Sequence, residues 1–116
     1  MGGSNLKKII KEVEEMYPET TSLFKQQQHE QYHLFCLKQY DYGPSNISVG
    51  TQLSNDDEVQ FSTLGLWFRI NDKIQRLKNI FTSKQKPQNE SVQDSFMDLA
   101  NYCNIALIVL KRKWAK

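Results

Sequence analysis

The chain has few of the residues that mark a disulfide framework, and no segment that marks a membrane span or a phosphate loop. Its 116 residues include two cysteines, five glycines and three prolines. Cys36 and Cys103 lack the spacing of metal ligands or of a disulfide pair, which favours a reducing cytoplasm. The longest apolar run, 105–110, falls far short of the ~20 residues that cross a bilayer. No Gly-Lys-Ser phosphate loop occurs, which counts against a P-loop kinase.

Strand-like alternation of apolar and polar residues is also missing, whereas helical spacing recurs along the chain. We therefore predict an all-α fold, a four-helix bundle, with helices at about 5–16, 19–40, 60–81 and 90–114. Residues 1–4 are interpreted as a cloning scar or a disordered start, and 5–116 as a single domain. The loop at 43–59 is long for a bundle, where ~2–8 residues is usual, so we predict that it is a lid.

The net charge of +2 is unevenly distributed, since residues 61–116 hold ten bases and four acids. A basic half invites a nucleic-acid interpretation. However, no basic stripe interleaved with aromatic residues appears, and Lys111, Arg112, Lys113 and Lys116 sit at the last turn of a helix, where cations complement the helix dipole. We therefore predict neither a nucleic-acid partner nor a membrane partner.

The stretch DYGPSN at 41–46 has two possible roles. Gly43 can take the left-handed conformation that closes a helix, and Pro44 cannot continue one. The alternative is that the polar side chains of this stretch lie at the lip of a site. Those side chains are Asp41, Tyr42, Ser45 and Asn46.

Carboxylates occupy unusual positions on three of the predicted helices. On the fourth helix, Asp94 and Asp98 share a face with Asn101 and, one turn later, with the run 105–110, which is apolar all round. We expect that run to be buried on both sides, so that the two acids point into a cleft or an interface. On the second helix, Glu30 lies on the stripe expected to face the core, where a carboxylate is costly unless it is paired or bound to metal.

Together with Asp72 on the third helix, these acids suggest a magnesium site, because Mg²⁺ prefers oxygen ligands and often shares them with a substrate phosphate. Arg69, Lys73 and Arg76 could hold the phosphates. The alternative is that Arg69, Asp72 and Arg76 form an ion-pair ladder on the surface.

Three segments carry a resemblance to a known family: KQYDYGPSNI, GLWFRINDKIQRLKNI and ESVQDSFMDLANYCNIAL. Over roughly 38–110 the chain resembles the nucleotide modification associated domain, type one, a family found largely in bacteriophages and prophages. That family is similar in layout to the MazG-type all-α nucleoside triphosphate pyrophosphohydrolases, which are helical oligomers that bind Mg²⁺ through acidic side chains. The resemblance implies that the chain forms a homo-oligomer and acts on a nucleotide in the host cytoplasm.

From the helix geometry and the resemblance together we predict a site. Its metal ligands for Mg²⁺ are Glu30, Asp94 and Asp98, and its catalytic residues are Asp72 and Asp98. Its substrate-binding residues are Tyr42, Asn46, Arg69, Lys73, Arg76, Asn101 and Tyr102. The chain departs from the MazG-type pattern, since Glu30 is followed by His33 rather than by a second acid, and Asp94 and Asp98 are spaced D-x-x-x-D. This departure implies that the set of metal ligands is smaller or rearranged. It affects the prediction of catalysis more than the prediction of nucleotide binding.

Three functions remain open from the sequence. The first is Mg²⁺-dependent hydrolysis of a nucleoside triphosphate to a monophosphate and pyrophosphate. The second is binding of a nucleotide or nucleotide signal without turnover, as in a sponge or regulator. The third is a helical interaction protein that assembles into oligomers and binds no nucleotide.

Overall fold

The computed structural model of the chain describes residues 3–116 and is all-helical over that range, which confirms the predicted fold class. Its helices are α1 (Gly3–Met16), α2 (Pro18–Tyr42), α3 (Ser45–Ser48), α4 (Asp56–Ser83) and α5 (Val92–Leu110). The predicted four-helix bundle is not confirmed, because a short extra helix, α3, lies in the predicted 43–59 loop. Of the predicted four-residue start, Met1 and Gly2 lie outside the described residues, and Gly3 and Ser4 belong to α1.

Side-chain caps explain where the two long C-terminal helices begin. Asn55 precedes α4 and its side chain accepts a hydrogen bond from the backbone N of Glu58 at 2.9 Å. Ser91 precedes α5 and accepts from the backbone N of Asp94 at 3.0 Å. Each cap satisfies a backbone donor that the first turn leaves without a partner. The predicted end of the last helix at 114 was wrong, since α5 ends at Leu110.

The chain separates into two compact units, one ending at Leu34 and the other spanning Phe35–Lys116. In the described part of the first unit no residue is buried, and Lys25 pairs with Glu14 at 2.5 Å. The predicted core stripe of the second helix was therefore wrong in this unit, because Leu23 and Glu30 are both exposed. The single domain over 5–116 stays a prediction.

The second unit holds the hydrophobic core. Leu66 of α4 and Val109 of α5 are almost completely buried at its centre. The core residues are Ile47, Leu53, Val59, Leu66, Ile105, Val109 and Trp114. Trp114 lies beyond the end of α5, where its indole N–H donates to the carbonyl of Pro44 at 3.1 Å and its ring meets Phe35 edge-on at 6.1 Å. This contact joins the C-terminal segment to the turn after α2.

The turn after α2 is formed as the sequence predicts. Gly43 has a φ of +67° and its N–H donates to the carbonyl of Gln39 at 2.9 Å, which closes the helix. The following segment then packs into the core through Ile47 and Leu53. Ser62 of α4 donates to the carbonyl of Ile47 at 2.5 Å. Much of the 43–59 segment is thus anchored, and its role as a lid stays a prediction.

The apolar run at 105–110 is buried on one side only, which corrects the expectation that both sides are covered. Ile105 and Val109 face the core, whereas Leu107 and Leu110 are each 56% exposed. Among the described residues, no helix is both long enough and apolar enough to cross a membrane.

Candidate functional site

A cavity of about 180 Å³ opens in the second unit, where the end of α2, α3, α4 and α5 meet. Its wall combines aromatic, amide and charged side chains. The lining residues are Phe35, Lys38, Gln39, Tyr42, Asn46, Ile47, Arg69, Asp98, Asn101, Tyr102, Ile105 and Trp114. An apolar pocket with a few convergent polar groups is the usual form of a small-molecule site.

The last two turns of α2 present one face to this cavity. Phe35, Lys38, Gln39 and Tyr42 follow the i, i+3, i+4, i+7 spacing of a helix face. Lys38 reaches across to α5, where its ammonium donates to Oδ1 of Asp98 at 2.8 Å. The segment that precedes the Gly-Pro turn is therefore part of the cavity wall.

Asp98 is the buried carboxylate of the cavity, with 8% of its surface exposed. Its second oxygen, Oδ2, lies 2.9 Å from the ammonium of Lys73 on α4. Burial by itself raises the pKa of Asp98, but the hydrogen bonds from Lys38 and Lys73 outweigh burial and hold the net pKa below its usual range. Asp98 is thus ionised at neutral pH and links α2 to α4.

A second carboxylate, Glu90, continues this network away from the cavity. The ammonium of Lys73 donates to both carboxylate oxygens of Glu90 at 2.9 Å, and Ser95 donates to Oε2 at 2.5 Å. Arg76 donates to the hydroxyl of Ser95 at 2.6 Å and to the backbone carbonyl of Glu90. The hydrogen bonds from Lys73 and Ser95 lower the pKa of Glu90. Burial alone lowers the pKa of Lys73, but its bonds to Glu90 and Asp98 raise the net pKa.

Arg69 differs from these cations because no carboxylate among residues 3–116 pairs with it. Its guanidinium donates to the backbone carbonyl of Asn46 at 2.7 Å and lies 5.9 Å from the centre of the Tyr102 ring. The ring face attracts the cation and helps to orient it. Arg69 therefore offers a positive charge to the cavity with donors to spare, since a guanidinium has five N–H groups.

The side chain of Asn46 is unusual in a different way. Its Oδ1 is buried and has no hydrogen-bond partner. Buried polar atoms are nearly always paired, so an orphaned one on a cavity wall asks for an explanation.

The network around the cavity carries an excess of positive charge. We call Lys38, Arg69, Lys73 and Arg76 the cationic cluster; its carboxylate partners are Asp98 and Glu90. Four cations face two anions, which leaves two positive charges uncompensated within this network. Such a site favours an anionic ligand.

The described carboxylates do not fit a magnesium ion held by this chain alone. Among residues 3–116 no three His, Cys, Asp or Glu side chains come together as a metal would require. Asp72, Asp94 and Glu30 are exposed, and both oxygens of Asp98 are engaged by ammonium groups. The donor set that remains is cationic, which suits phosphate better than a metal.

The structure brings most of the predicted substrate-binding residues to one place. Tyr42, Asn46, Arg69, Asn101 and Tyr102 line the cavity, as does Asp98. Lys73 and Arg76 lie behind them in the ion-pair network.

These contacts bear on two alternatives that the sequence left open. The ion-pair ladder through Arg69, Asp72 and Arg76 was wrong, because Asp72 pairs with neither arginine and Arg76 turns to Glu90. Of the residues around the Gly-Pro turn, Tyr42 and Asn46 line the cavity, whereas Asp41 and Ser45 are exposed and do not.

Sequence reasoning missed the roles of Lys38, Phe35 and Trp114. The helical spacing that links Phe35 and Lys38 to Tyr42 was available, because all three fall on one face of α2. Trp114 continues the apolar spacing of the helix predicted over 90–114, but that spacing did not indicate a place in the site. Trp114 lies beyond the end of α5 and reaches the site through a contact with Pro44, 70 residues away in sequence.

The family model described as nucleotide modification associated domain 1 matches residues 38–110, more than half of the chain. The match lies within the unit that contains the cavity. Comparisons with curated proteins and with solved structures gave no match.

Proposed function

The chain belongs to the nucleotide modification associated domain 1 family, and from that premise we propose that the cavity binds a nucleotide through its phosphates. The observation that carries the proposal is Arg69, a half-buried guanidinium on the cavity wall that pairs with no carboxylate among residues 3–116. Arginine binds phosphate oxygens in pairs, with charge-assisted hydrogen bonds.

The rest of the wall supports the same ligand. The side chain of Lys38 is about half exposed and its ammonium is bonded to Asp98, so Lys38 can contact a phosphate without leaving its partner. Tyr102 offers an aromatic surface next to Arg69, and aromatic rings commonly stack on nucleobases. Asp98 holds Lys38 and Lys73 in position, which reduces the entropy lost when a phosphate binds.

The test is Arg69→Gln, which removes the charge and keeps a polar side chain. Arg112→Gln is the matched control, because Arg112 is exposed and paired with Asp56 on another part of the surface. Binding of nucleoside mono-, di- and triphosphates is measured by calorimetry. Loss of a charged hydrogen bond, worth ~1.5–3 kcal/mol, should weaken binding by about tenfold or more in Arg69→Gln. Equal affinities in the wild type and Arg69→Gln would contradict the proposal.

The second candidate is hydrolysis of a bound nucleoside triphosphate to a monophosphate and pyrophosphate, with Mg²⁺ as cofactor. The described carboxylates do not form a Mg²⁺ site by themselves, so the ion would enter with the triphosphate. The observation that favours this candidate is the buried carboxylate of Asp98 in the wall of a cationic cavity. Ion-exchange separation of products, after incubation with each ribo- and deoxyribonucleoside triphosphate with Mg²⁺ or with EDTA, tests it. Monophosphate and pyrophosphate formed by the wild type and lost in Asp98→Asn would support hydrolysis, whereas intact triphosphate throughout leaves binding alone.

Self-association is a further part of the proposal. Leu64, Trp67 and Leu110 are exposed and line an apolar groove of about 450 Å³ between α4 and α5. Large exposed apolar patches usually mark interaction sites. We propose that a second copy of the chain covers this groove. Light scattering should show an oligomer that Trp67→Lys dissociates; an oligomer that survives this change would place the interface elsewhere.

The remaining predictions concern source and compartment. Cys36 and Cys103 are both free and exposed, which favours a reducing cytoplasm. Origin in a phage or prophage rests on the family resemblance. Rapid alkylation of both thiols in intact host cells would support the compartment, and their recovery in oxidised form would oppose it.

A further inference from the structure

The orphaned Oδ1 of Asn46 is the only buried side-chain polar atom among the described residues that lacks a hydrogen-bond partner. It belongs to a residue on the cavity wall, and the backbone carbonyl of the same residue accepts from Arg69 at 2.7 Å. The proposed phosphate-binding cation is therefore bonded directly to the residue with the unsatisfied side chain.

A buried acceptor without a partner destabilises the unliganded protein, because it has lost its water and gained nothing in return. Stability therefore gives no reason for an asparagine here, since an apolar side chain of similar shape would avoid this loss. The last torsion of an asparagine side chain is soft, so the carboxamide can turn toward a ligand at little cost. A ligand that supplies an N–H group in the cavity would satisfy it.

The carboxamide of asparagine offers an acceptor and a donor side by side. This pattern matches the edge of a nucleobase, which presents an N–H beside an acceptor atom. The ring of Tyr102, next to Arg69, supplies a surface against which a planar base can lie.

We propose that Asn46 recognises the base of the bound nucleotide by pairing its carboxamide with the base edge, while Arg69 holds the phosphate. This inference rests on the proposed function and adds a residue that contributes to specificity. It assigns the ligand class as a nucleotide that carries a base, as distinct from a sugar phosphate, pyrophosphate or another simple anion.

The experiment compares the wild type with Asn46→Leu, which keeps the approximate shape and removes the carboxamide. Calorimetry uses five probes: AMP, CMP, GMP, UMP and ribose 5-phosphate, the last of which lacks a base. Thermal melting without ligand is recorded for each protein. Asn79→Leu, a change at an exposed asparagine on α4, is the control. Asn46→Ala is a second variant that leaves space instead of filling it.

We expect Asn46→Leu to melt at the same temperature as the wild type or higher, and to bind its preferred monophosphate about fivefold more weakly or worse, because a two-bond base contact contributes at least about that factor. Ribose 5-phosphate should behave alike with both proteins. The control should match the wild type with every probe.

Four outcomes overturn the inference. If Asn46→Leu and Asn46→Ala bind monophosphates as the wild type does, Asn46 does not contact the base, and the proposed function stands. If both variants melt at a much lower temperature than the wild type, Asn46 serves folding. If their affinity for ribose 5-phosphate falls as much as their affinity for the monophosphates, Asn46 serves phosphate binding. If the wild type binds neither any of the five probes nor any nucleoside triphosphate, the proposed function fails and the inference fails with it.

Discussion

The two units of the chain differ sharply in what they bury. All side chains that are buried in the described chain belong to Phe35–Lys116, and none to the part that ends at Leu34. Yet α1 carries a clear helical stripe of apolar residues, among them Leu6 and Val13, and every residue of that stripe is exposed. Helical periodicity thus indicates that a face is apolar but not what covers it. The family match and the cavity both lie in the unit with the core.

The largest expected effect tests this contrast in burial. Leu66→Ala removes a side chain that is 1% exposed, and should lower the free energy of unfolding by about 2–5 kcal/mol. Leu23→Ala, at a site 52% exposed on α2, should change it by less than about 0.5 kcal/mol. Chemical denaturation of both variants measures the difference. Equal losses of unfolding free energy in the two variants would mean that Leu23 is covered by contacts that are absent from the single chain.

A second contrast lies within α5, where the two aspartates were predicted to act together. Asp98→Asn leaves the ammonium groups of Lys38 and Lys73 without their shared carboxylate, and should cost about 1–3 kcal/mol. Asp94→Asn changes an exposed first-turn acid and should cost at most about 1 kcal/mol, through the helix dipole. Denaturation at pH 7 checks both. A larger loss from Asp94→Asn would contradict the assigned contacts.

The pH dependence of stability sharpens the same contrast. The pKa values of Asp98 and Glu90 are lowered by folding, so the stability they supply is complete above their unfolded values of about 4 and is lost as pH falls below them. The pKa of Lys73 is raised, so its contribution is lost only above about pH 10.4. Urea denaturation from pH 2 to 7 should show a steep acid limb in the wild type and a shallower one in Asp98→Asn. Identical slopes would exclude this carboxylate as the cause.

The smallest effect concerns the cap of α4. Asn55→Ala removes the bond to the backbone N of Glu58 and should reduce stability by about 1 kcal/mol. Asn79→Ala changes an exposed asparagine inside the same helix and should be neutral or slightly stabilising, because alanine is the better helix former. A shift in melting temperature for Asn79→Ala as large as that for Asn55→Ala would argue against the cap.

The helical class and the helix stop at Gly43 could be predicted from the sequence because both depend on local signals, spacing and backbone conformation. Half of the cavity residues could be named as site residues, because the family resemblance points to Tyr42 and Asn46 and, together with helix geometry, to one face of α4 and α5. The same reasoning could not tell which of the two aspartates on α5 lies in the cavity. Asp94 and Asp98 have the same chemistry and share a face, but only Asp98 meets Lys38 and Lys73.

The features that escaped prediction depend on contacts between distant parts of the chain. Helix α3 is held by its packing, through Ile47 in the core and Ser62 on α4, and its four residues carry no periodic signal of their own. Trp114 was predicted on an apolar seam, but its contacts with Pro44 and Phe35 were not. Such pairings arise from the fold as a whole and leave no spacing in the sequence.

The central claim is that the cavity binds a nucleotide through Arg69. The most direct measurement is a calorimetric titration of the wild type and Arg69→Gln with the nucleoside triphosphate that most raises the melting temperature of the wild type, since only a ligand that binds the folded state does so. The account predicts saturable binding to the wild type and a loss of about tenfold or more in Arg69→Gln. Equal affinities for the two proteins, or no binding by the wild type to any nucleotide tested, would contradict it.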